Sequence, residues 1–404
     1  MDSIAYKACE KRTAKPEASI GPRQVFATKV AFLVTGVGVS AWAPLVPFAK
    51  MRLGIGDATL GLLILCLGAG SVVSMPLCHQ IIKRLGARAV ILLGVLMVAA
   101  ALPLLAYTTT VPTMAASLLL FGAAVGLLDV SINVHALLVE KGTGKALMSG
   151  FHGFFSVGGI AGSVLGSALL SAGATPLLVA CSVGIAVLML TGTAAKALLP
   201  DSMRGDESGG FALPHGTVVA MGLVGLCVFL VEGAMLDWSA LFLTSTKSFP
   251  ERLAGLGYTG FAVAMAVGRL LGDALSRYVK SSTIVAAGGI TGAAGIGFAL
   301  LAPSGPLAIV GFLLTGAGCA NIVPVLFSAV GRQKAMAPGA AVAALTTMGY
   351  AGALAGPAAV GFVSHAVGLS AAFALLAGLL VLAALGGWLL FKDSSKHHLH
   401  THLS

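Results

Sequence analysis

The chain consists mostly of long apolar segments separated by short polar ones. Of its 404 residues, 57% are hydrophobic and 9% are charged, against about 25% charged in ordinary soluble domains. A helix that crosses the hydrocarbon layer needs about 20 largely apolar residues, because its backbone polar groups must be satisfied within the segment. Twelve segments meet this requirement: 28–49, 59–81, 88–107, 113–139, 147–171, 175–198, 216–245, 253–275, 282–302, 305–330, 338–364 and 369–391.

The two halves of the chain are similar to each other. A shift of about 194 residues aligns Ala41-Trp42 with Asp237-Trp238, Gly122 with Gly316, and the small residues Gly158 and Gly162 with Gly352 and Gly356. Such parallel repeats are typical of carriers made of two bundles. We therefore predict an all-α integral membrane protein with twelve transmembrane helices in two pseudo-symmetric six-helix bundles. Its parts are a tail over 1–27, a bundle over 28–198, a linker over 199–215, a bundle over 216–391 and a tail over 392–404.

The net charge of +10 reflects membrane orientation rather than nucleic-acid binding, since the basic residues form short clusters between apolar segments. With the N-terminus in the cytoplasm, 19 of the 24 lysines and arginines lie inside and four lie outside, while Arg269 falls within a span. This asymmetry is the usual orientation signal. No cleavable signal peptide is apparent, and we expect a multi-pass protein of a bacterial inner membrane, monomeric, with both termini in the cytoplasm.

Polar side chains in the fourth span are the first candidates for function. Charged groups deep in a membrane helix cost at least about 2.5–3.5 kcal/mol on insertion scales, so each needs a partner or a role. Asp129, Asn133 and Glu140 share one helix face within about 40°. Asp129 is either a protonatable or substrate-binding carboxylate, or it makes a structural hydrogen bond. Glu140 lies near the basic cluster, and we expect it to form a gate or salt bridge with Arg84 or Arg88.

The seventh span carries two further carboxylates, Glu232 near its middle and Asp237 further out, about 140° apart around the helix. Trp238 there, like Trp42 in the first span, would stack on an apolar ligand face or pack at the membrane interface. Further candidates for the site are His152, on a polar stripe of the fifth span, and Asn321, which the repeat places opposite Asp129. In the eighth span, Arg269 and Asp273 are four residues apart and are expected to pair.

Three stretches carry a family resemblance: Leu128 to His135 with Glu140, Glu232 to Ser239, and Gly268 to Asp273. Together with the architecture, they resemble the major facilitator superfamily, in particular its MosC-like and fucose-permease-like bacterial branch. The resemblance covers nearly the whole chain. It implies alternating access, in which two halves rock around a central cavity.

We therefore predict a secondary transporter driven by an ion gradient, with protons as the favoured ion. Protons are favoured because the carboxylates of Asp129 and Glu232 can be neutralised, and the apolar spans make the lipid bilayer a further partner. The resemblance implies a small polar solute, such as a sugar, an inositol or an amino-sugar derivative. Efflux of amphipathic compounds and a non-transporting sensor are the alternatives. No phosphate-binding loop and no nucleophile grouping is present, and the histidines that could bind metal are confined to the terminal tail. We expect no enzymatic activity, cofactor, resident metal or nucleic-acid partner.

The orientation can be tested by cysteine-accessibility labelling in intact cells. We expect residues near Lys50 and Lys247 to react with an impermeant maleimide from the periplasm, and the segment Lys196–His215 to react only after the membrane is permeabilised. The reason is the distribution of basic residues between the two sides. Labelling of the Lys196–His215 segment from outside would contradict the predicted topology.

Overall fold

A computed structural model describes residues 20–55, 57–199, 213–250 and 253–392. Most of the predicted linker, residues 1–19 of the first predicted tail, and residues 393–404 of the second, with the terminal histidines, lie outside these residues. The described α-helices are α1 (Pro22–Ser40), α2 (Val46–Leu53), α3 (Asp57–Leu85), α4 (Ala87–Tyr107), α5 (Val111–Thr143), α6 (Met148–Ser171), α7 (Pro176–Ala194), α8 (Thr217–Lys247), α9 (Leu256–Tyr278), α10 (Ser281–Leu301), α11 (Gly305–Cys319), α12 (Ile322–Val330), α13 (Pro338–Val367) and α14 (Leu369–Lys392).

These helices form the twelve predicted spans. The first span comprises α1 and α2, joined through a 3₁₀ turn at Ala43–Leu45, and the tenth comprises α11 and α12. Within the described residues, eleven spans are long and apolar enough to cross a membrane. The remaining one, α9, has the length but carries Arg269, Asp273 and Arg277, which lower its hydropathy. The sequence therefore located every span.

The spans pack in the same pattern in both halves. In the first half α1 lies against α6, α3 against α5, and α4 against both α5 and α7. In the second half α8 lies against α13, α9 against α11, and α10 against both α11 and α14. Each of these pairs occupies the equivalent position in its own half. The fold is thus two pseudo-symmetric six-helix bundles, which contact each other through α6 with α9 and α3 with α13.

Glycines allow the equivalent helix pairs to approach closely. A Cβ atom at Gly158 or Gly162 of α6 would collide with the backbone oxygen of Leu33 or Val37 in α1. Gly352 and Gly356 of α13 face the backbone of α8 in the same way. In hydrocarbon, where apolar burial gives little drive for association, such close packing is a main source of affinity between helices. The predicted glycine face is confirmed in both halves.

Two spans are interrupted where proline prevents a regular helix. In the tenth span the break falls at Ala320–Asn321, and Pro324 lies in the first turn of α12. Because proline has no amide hydrogen, Pro324 cannot donate to the carbonyl of Ala320, four residues earlier. That carbonyl is left available for another donor near the middle of the membrane. The tenth span lies at 305–330 as predicted, and the break within it, which the sequence did not indicate, matters for the site.

Replacing Gly162 by leucine tests the glycine face. The side chain would overlap the backbone of α1, and we expect the yield of folded protein to fall sharply, because overpacking costs about 1–3 kcal/mol or more. Gly159 is the matched control in the same helix, since no atom lies within 4 Å of a Cβ built there. Fluorescence-detected size exclusion in detergent compares the two. Equal monodisperse yields of Gly162→Leu and Gly159→Leu would contradict the packing.

Candidate functional site

An ion pair lies near the middle of the second bundle. Glu232 is the central residue of α8, and Arg269 lies in the adjacent helix α9. Nη2 of Arg269 lies 3.2 Å from Oε1 and 3.5 Å from Oε2 of Glu232. The side chain of Arg269 is 9% exposed and that of Glu232 is 20% exposed. Each group offsets the cost of placing the other in the membrane interior.

The remaining donors of Arg269 fix its orientation. Nε donates to the carbonyl of Ala320 at 3.3 Å, which is the carbonyl that Pro324 leaves without a helical donor. Nη1 donates to Oγ of Ser156, in α6 of the other bundle, at 3.2 Å. The neighbouring Asn321 donates from Nδ2 to the carbonyl of Gly268 at 2.9 Å. The break in the tenth span is therefore held by α9, and Arg269 joins four helical segments at one depth.

A second polar cluster occupies the first bundle. Asn133 donates from Nδ2 to Oδ1 of Asp129 at 3.1 Å and to the Asp129 carbonyl at 2.8 Å. Oδ1 of Asn133 lies 3.1 Å from Nε2 of His152 in α6. Because that oxygen can only accept, Nε2 carries the hydrogen. Asp129 is half-buried, whereas Asn133 and His152 are buried.

The two clusters are continuous across the interface between the bundles. Ser156, one turn after His152, donates from Oγ to the His152 carbonyl at 3.2 Å and accepts from Arg269. The His152 ring also stacks on Phe327 of α12, with 5.4 Å between ring centroids. Hydrogen bonds thus link Asp129, Asn133, His152, Ser156, Arg269 and Glu232 in this order, with the ring of His152 facing Asn133 and its backbone carbonyl facing Ser156. We call these six residues the central network.

The structure corrects the predicted pairing of Arg269 with Asp273. Both side chains lie on one face of α9, but Arg269 pairs with Glu232. Asp273 instead approaches Ser149 and Gly150, in the first turn of α6. A carboxylate is favourable there because unpaired amides and the helix dipole give a helix N-terminus positive character. The available signal was that Glu232 and Arg269 both lie near the middle of their helices, whereas Asp273 lies nearer a helix end.

Glu140 also differs from its predicted role. Its Oε2 accepts from the amides of Leu147 and Met148, at 2.9 and 3.0 Å, where α6 begins. No ion pair with Arg84 or Arg88 occurs among the described residues; Arg84 is exposed and Arg88 half-buried. Glu140 and Asp273 therefore meet the same end of α6 from the two bundles. They border a cavity of about 370 Å³ between the bundles, towards the predicted cytoplasmic side.

The other candidates lie outside the central network. Asp237 is exposed. Trp42 is buried, 7% exposed, within the apolar core. Trp238 is half-buried and packs beside Gly361 of α13. Asn321 contributes to the site through the helix break. Its predicted position opposite Asp129 reflects the repeat, but its hydrogen bond is to the backbone of α9.

Sequence reasoning missed His135, which is fully buried in α5. Its Nδ1 lies 3.2 Å from Oγ1 of Thr28 in α1, and its Nε2 accepts from the amide of Leu199 at 2.9 Å. Since Nε2 accepts, Nδ1 carries the hydrogen. His135 therefore fixes the first bundle to the start of the predicted linker. The signal available in the sequence was a histidine within the fourth predicted span, two residues from Asn133. Nothing in the sequence specified its hydrogen-bond partners.

Two bundles of six helices around a polar network at mid-membrane define the class of polytopic membrane carriers. The Major Facilitator Superfamily model matches residues 30–335. An uncharacterised MFS-type transporter of Yersinia pestis is 46% identical over 90% of this chain and 95% of its own length. Membrane protein MosC of Rhizobium meliloti is 30% identical, over 87% of both chains. This chain belongs to the major facilitator superfamily, and it is a membrane transporter.

Solved structures show the same fold. Two crystal structures of FucP, the fucose:proton symporter of E. coli, superpose with TM-scores of 0.76 and 0.77. Each is 16% identical to this chain, and each match covers 91% of this chain and 98% of FucP. One of them is described as being in the outward conformation. The likeness extends over nearly the full length of both proteins.

The ion pair can be tested by removing its members singly and together. Arg269→Gln leaves Glu232 without its cation, and breaking a buried pair in this way costs about 3–5 kcal/mol. We therefore expect a large fall in the thermal unfolding temperature in detergent. The double variant Glu232→Gln/Arg269→Gln should recover most of it, because no uncompensated charge remains. Arg277→Gln, at an exposed position of α9, should change little. A double variant as unstable as Arg269→Gln would contradict the pairing.

Proposed function

We propose that this transporter is a proton-coupled secondary carrier of a small polar solute, such as a sugar, an inositol or an amino-sugar derivative. The observation that carries the proposal is the central network, which presents carboxylate, amide, hydroxyl and guanidinium groups near the middle of the membrane. Substrate sites of two-bundle carriers lie near this depth, at the interface of the halves. A polar solute would exchange hydrogen bonds with these groups in place of water.

Access to the network supports a binding role. Asp129, Glu232 and Ser156 are each partly exposed. Gly159, one turn beyond Ser156, has no atom within 4 Å of a Cβ built on it. Open space therefore adjoins this face of α6. The fold neighbour FucP is a fucose:proton symporter, and the polar groups of the central network agree with a polar solute here as well.

Asp129 is the favoured site of proton binding. Glu232 already has a cation in Arg269. The hydrogen bonds of the Asp129 carboxylate, within the described part of the chain, come from the amide of Asn133. The free-energy cost of a charge in the membrane is therefore offset less for ionised Asp129 than for Glu232, and protonation of Asp129 would remove that cost. Proton binding from one side would lower the cost of closing the site, and proton release on the other side would complete the cycle.

Proteoliposomes with an imposed pH gradient test the coupling. We expect Asp129→Asn to keep the shape of the site while abolishing proton-driven accumulation, so that downhill exchange of the solute remains. Glu232→Gln should reduce binding through its effect on Arg269 and leave residual accumulation dependent on pH. Electrical recording across a panel of sugars, inositols, amino sugars and amphipathic compounds identifies the solute. Wild-type accumulation against a gradient in both variants would refute coupling through these carboxylates, and currents only with amphipathic compounds would refute the solute class.

A further inference from the structure

One hydroxyl group ties the ion pair of the second bundle to the first bundle. Oγ of Ser156 donates its single hydrogen to the carbonyl of His152, in its own helix. Its lone pairs are therefore left to accept, and Nη1 of Arg269 donates to them at 3.2 Å. A serine hydroxyl in this arrangement suits a guanidinium, which can only donate. Hydrogen bonds with a charged donor are the stronger class.

Among the residues that the structure describes, the other polar contacts of Arg269 lie within its own bundle. Glu232 accepts from Nη2, and the Ala320 carbonyl accepts from Nε. These two acceptors determine where the guanidinium lies, and so whether Nη1 can reach Ser156. The contact between the bundles thus depends on the pairing of Glu232. Loss of that pairing, by neutralisation of Glu232 or by a solute group that displaces it, would release Arg269 from the position in which it meets α6.

Other contacts across the same interface do not involve the ion pair: Asp273 of α9 approaches the first turn of α6, and apolar groups meet on both sides of it. Phe327 stacks on His152. Towards the predicted cytoplasmic side, Leu137 of α5 is buried, and its side chain would lie 2.8 Å from a Cβ at Gly331. These contacts must separate if the bundles tilt apart at that side. Among the polar contacts of the described residues, the Ser156–Arg269 bond is the one that links this separation to the ion pair.

We propose that Ser156 is a positioning residue for the transport cycle, which holds the bundles together towards the predicted cytoplasmic side while Arg269 is paired with Glu232. This inference rests on the proposed alternating-access function. The state of one ion pair, buried within a single bundle, is transmitted to the arrangement of both bundles through the Ser156 hydroxyl. Removal of the hydroxyl breaks the link between the ion pair and the arrangement of the bundles, and it favours separation of the bundles.

Thiol labelling of a buried reporter measures the separation directly. In the full-length chain with its native cysteines replaced, Leu137→Cys is shielded when the bundles are closed. We expect Ser156→Ala to raise its rate of reaction with a maleimide about tenfold, which corresponds to about 1.4 kcal/mol. Ser156→Thr, which retains the hydroxyl, should label at the parent rate. Ser167→Ala, at an exposed position of the same helix, should also leave the rate unchanged.

A double variant distinguishes this tie from a general loss of packing. Glu232→Gln should itself accelerate labelling, and the addition of Ser156→Ala should give no further acceleration, since both act on one contact. An unchanged rate in Ser156→Ala, equal acceleration by Ser156→Thr, or effects of the two substitutions that multiply would each overturn the proposal. The labelling needs neither solute nor proton gradient. A failure here therefore differs from a failure of proton coupling, which would appear in accumulation by Asp129→Asn.

Discussion

The requirement that every polar group be satisfied without water organises the interior of this carrier, and Arg269 shows how. Its guanidinium is almost completely buried, and all three of its nitrogens find acceptors: a carboxylate, a backbone carbonyl and a hydroxyl. The carbonyl is available because Pro324 interrupts the helix four residues later. A costly charge and an irregular backbone thus stabilise each other, as expected of non-regular backbone at membrane depth, which persists only where protein or a cavity satisfies it.

The same requirement relates the site to the movement of the bundles. Close glycine contacts make each bundle compact, since α6 lies against α1 and α13 against α8 through backbone atoms. The contacts between the bundles also involve glycines, as where Gly272 of α9 lies against Ser149 of α6. They include in addition a ring stack, a hydrogen bond at mid-membrane, and the carboxylate of Asp273 at the start of α6. Helices held backbone to backbone within each bundle let the bundle move as one body, which is what rigid-body rocking needs.

The sequence predicted the fold because span length, glycine spacing and the repeat are local properties of the chain. It predicted which residues belong to the site less well. Asp129, Asn133, Glu232 and His152 do meet in one network, since few polar groups exist at that depth. The predicted partner of Arg269 was wrong. Helical spacing shows that Asp273 shares a helix face with Arg269, but it does not show that the first turn of α6 lies opposite Asp273. The role of Pro324 depended on which helix approaches the freed carbonyl, and that is decided by tertiary packing.

Asn133 has a consequence for the movement of protons. It lies between two groups that exchange protons readily, the carboxylate of Asp129 and the imidazole of His152, yet an amide keeps its own hydrogens. Arg269, near the other end of the network, does not deprotonate in proteins. The row of hydrogen bonds between Asp129 and Glu232 is therefore interrupted as a proton path at Asn133 and at Arg269. It is interrupted again at His152, whose ring meets Asn133 while its backbone carbonyl accepts from Ser156. A proton on Asp129 would therefore have to leave from the exposed side of that carboxylate, because it could not pass along the network to Glu232.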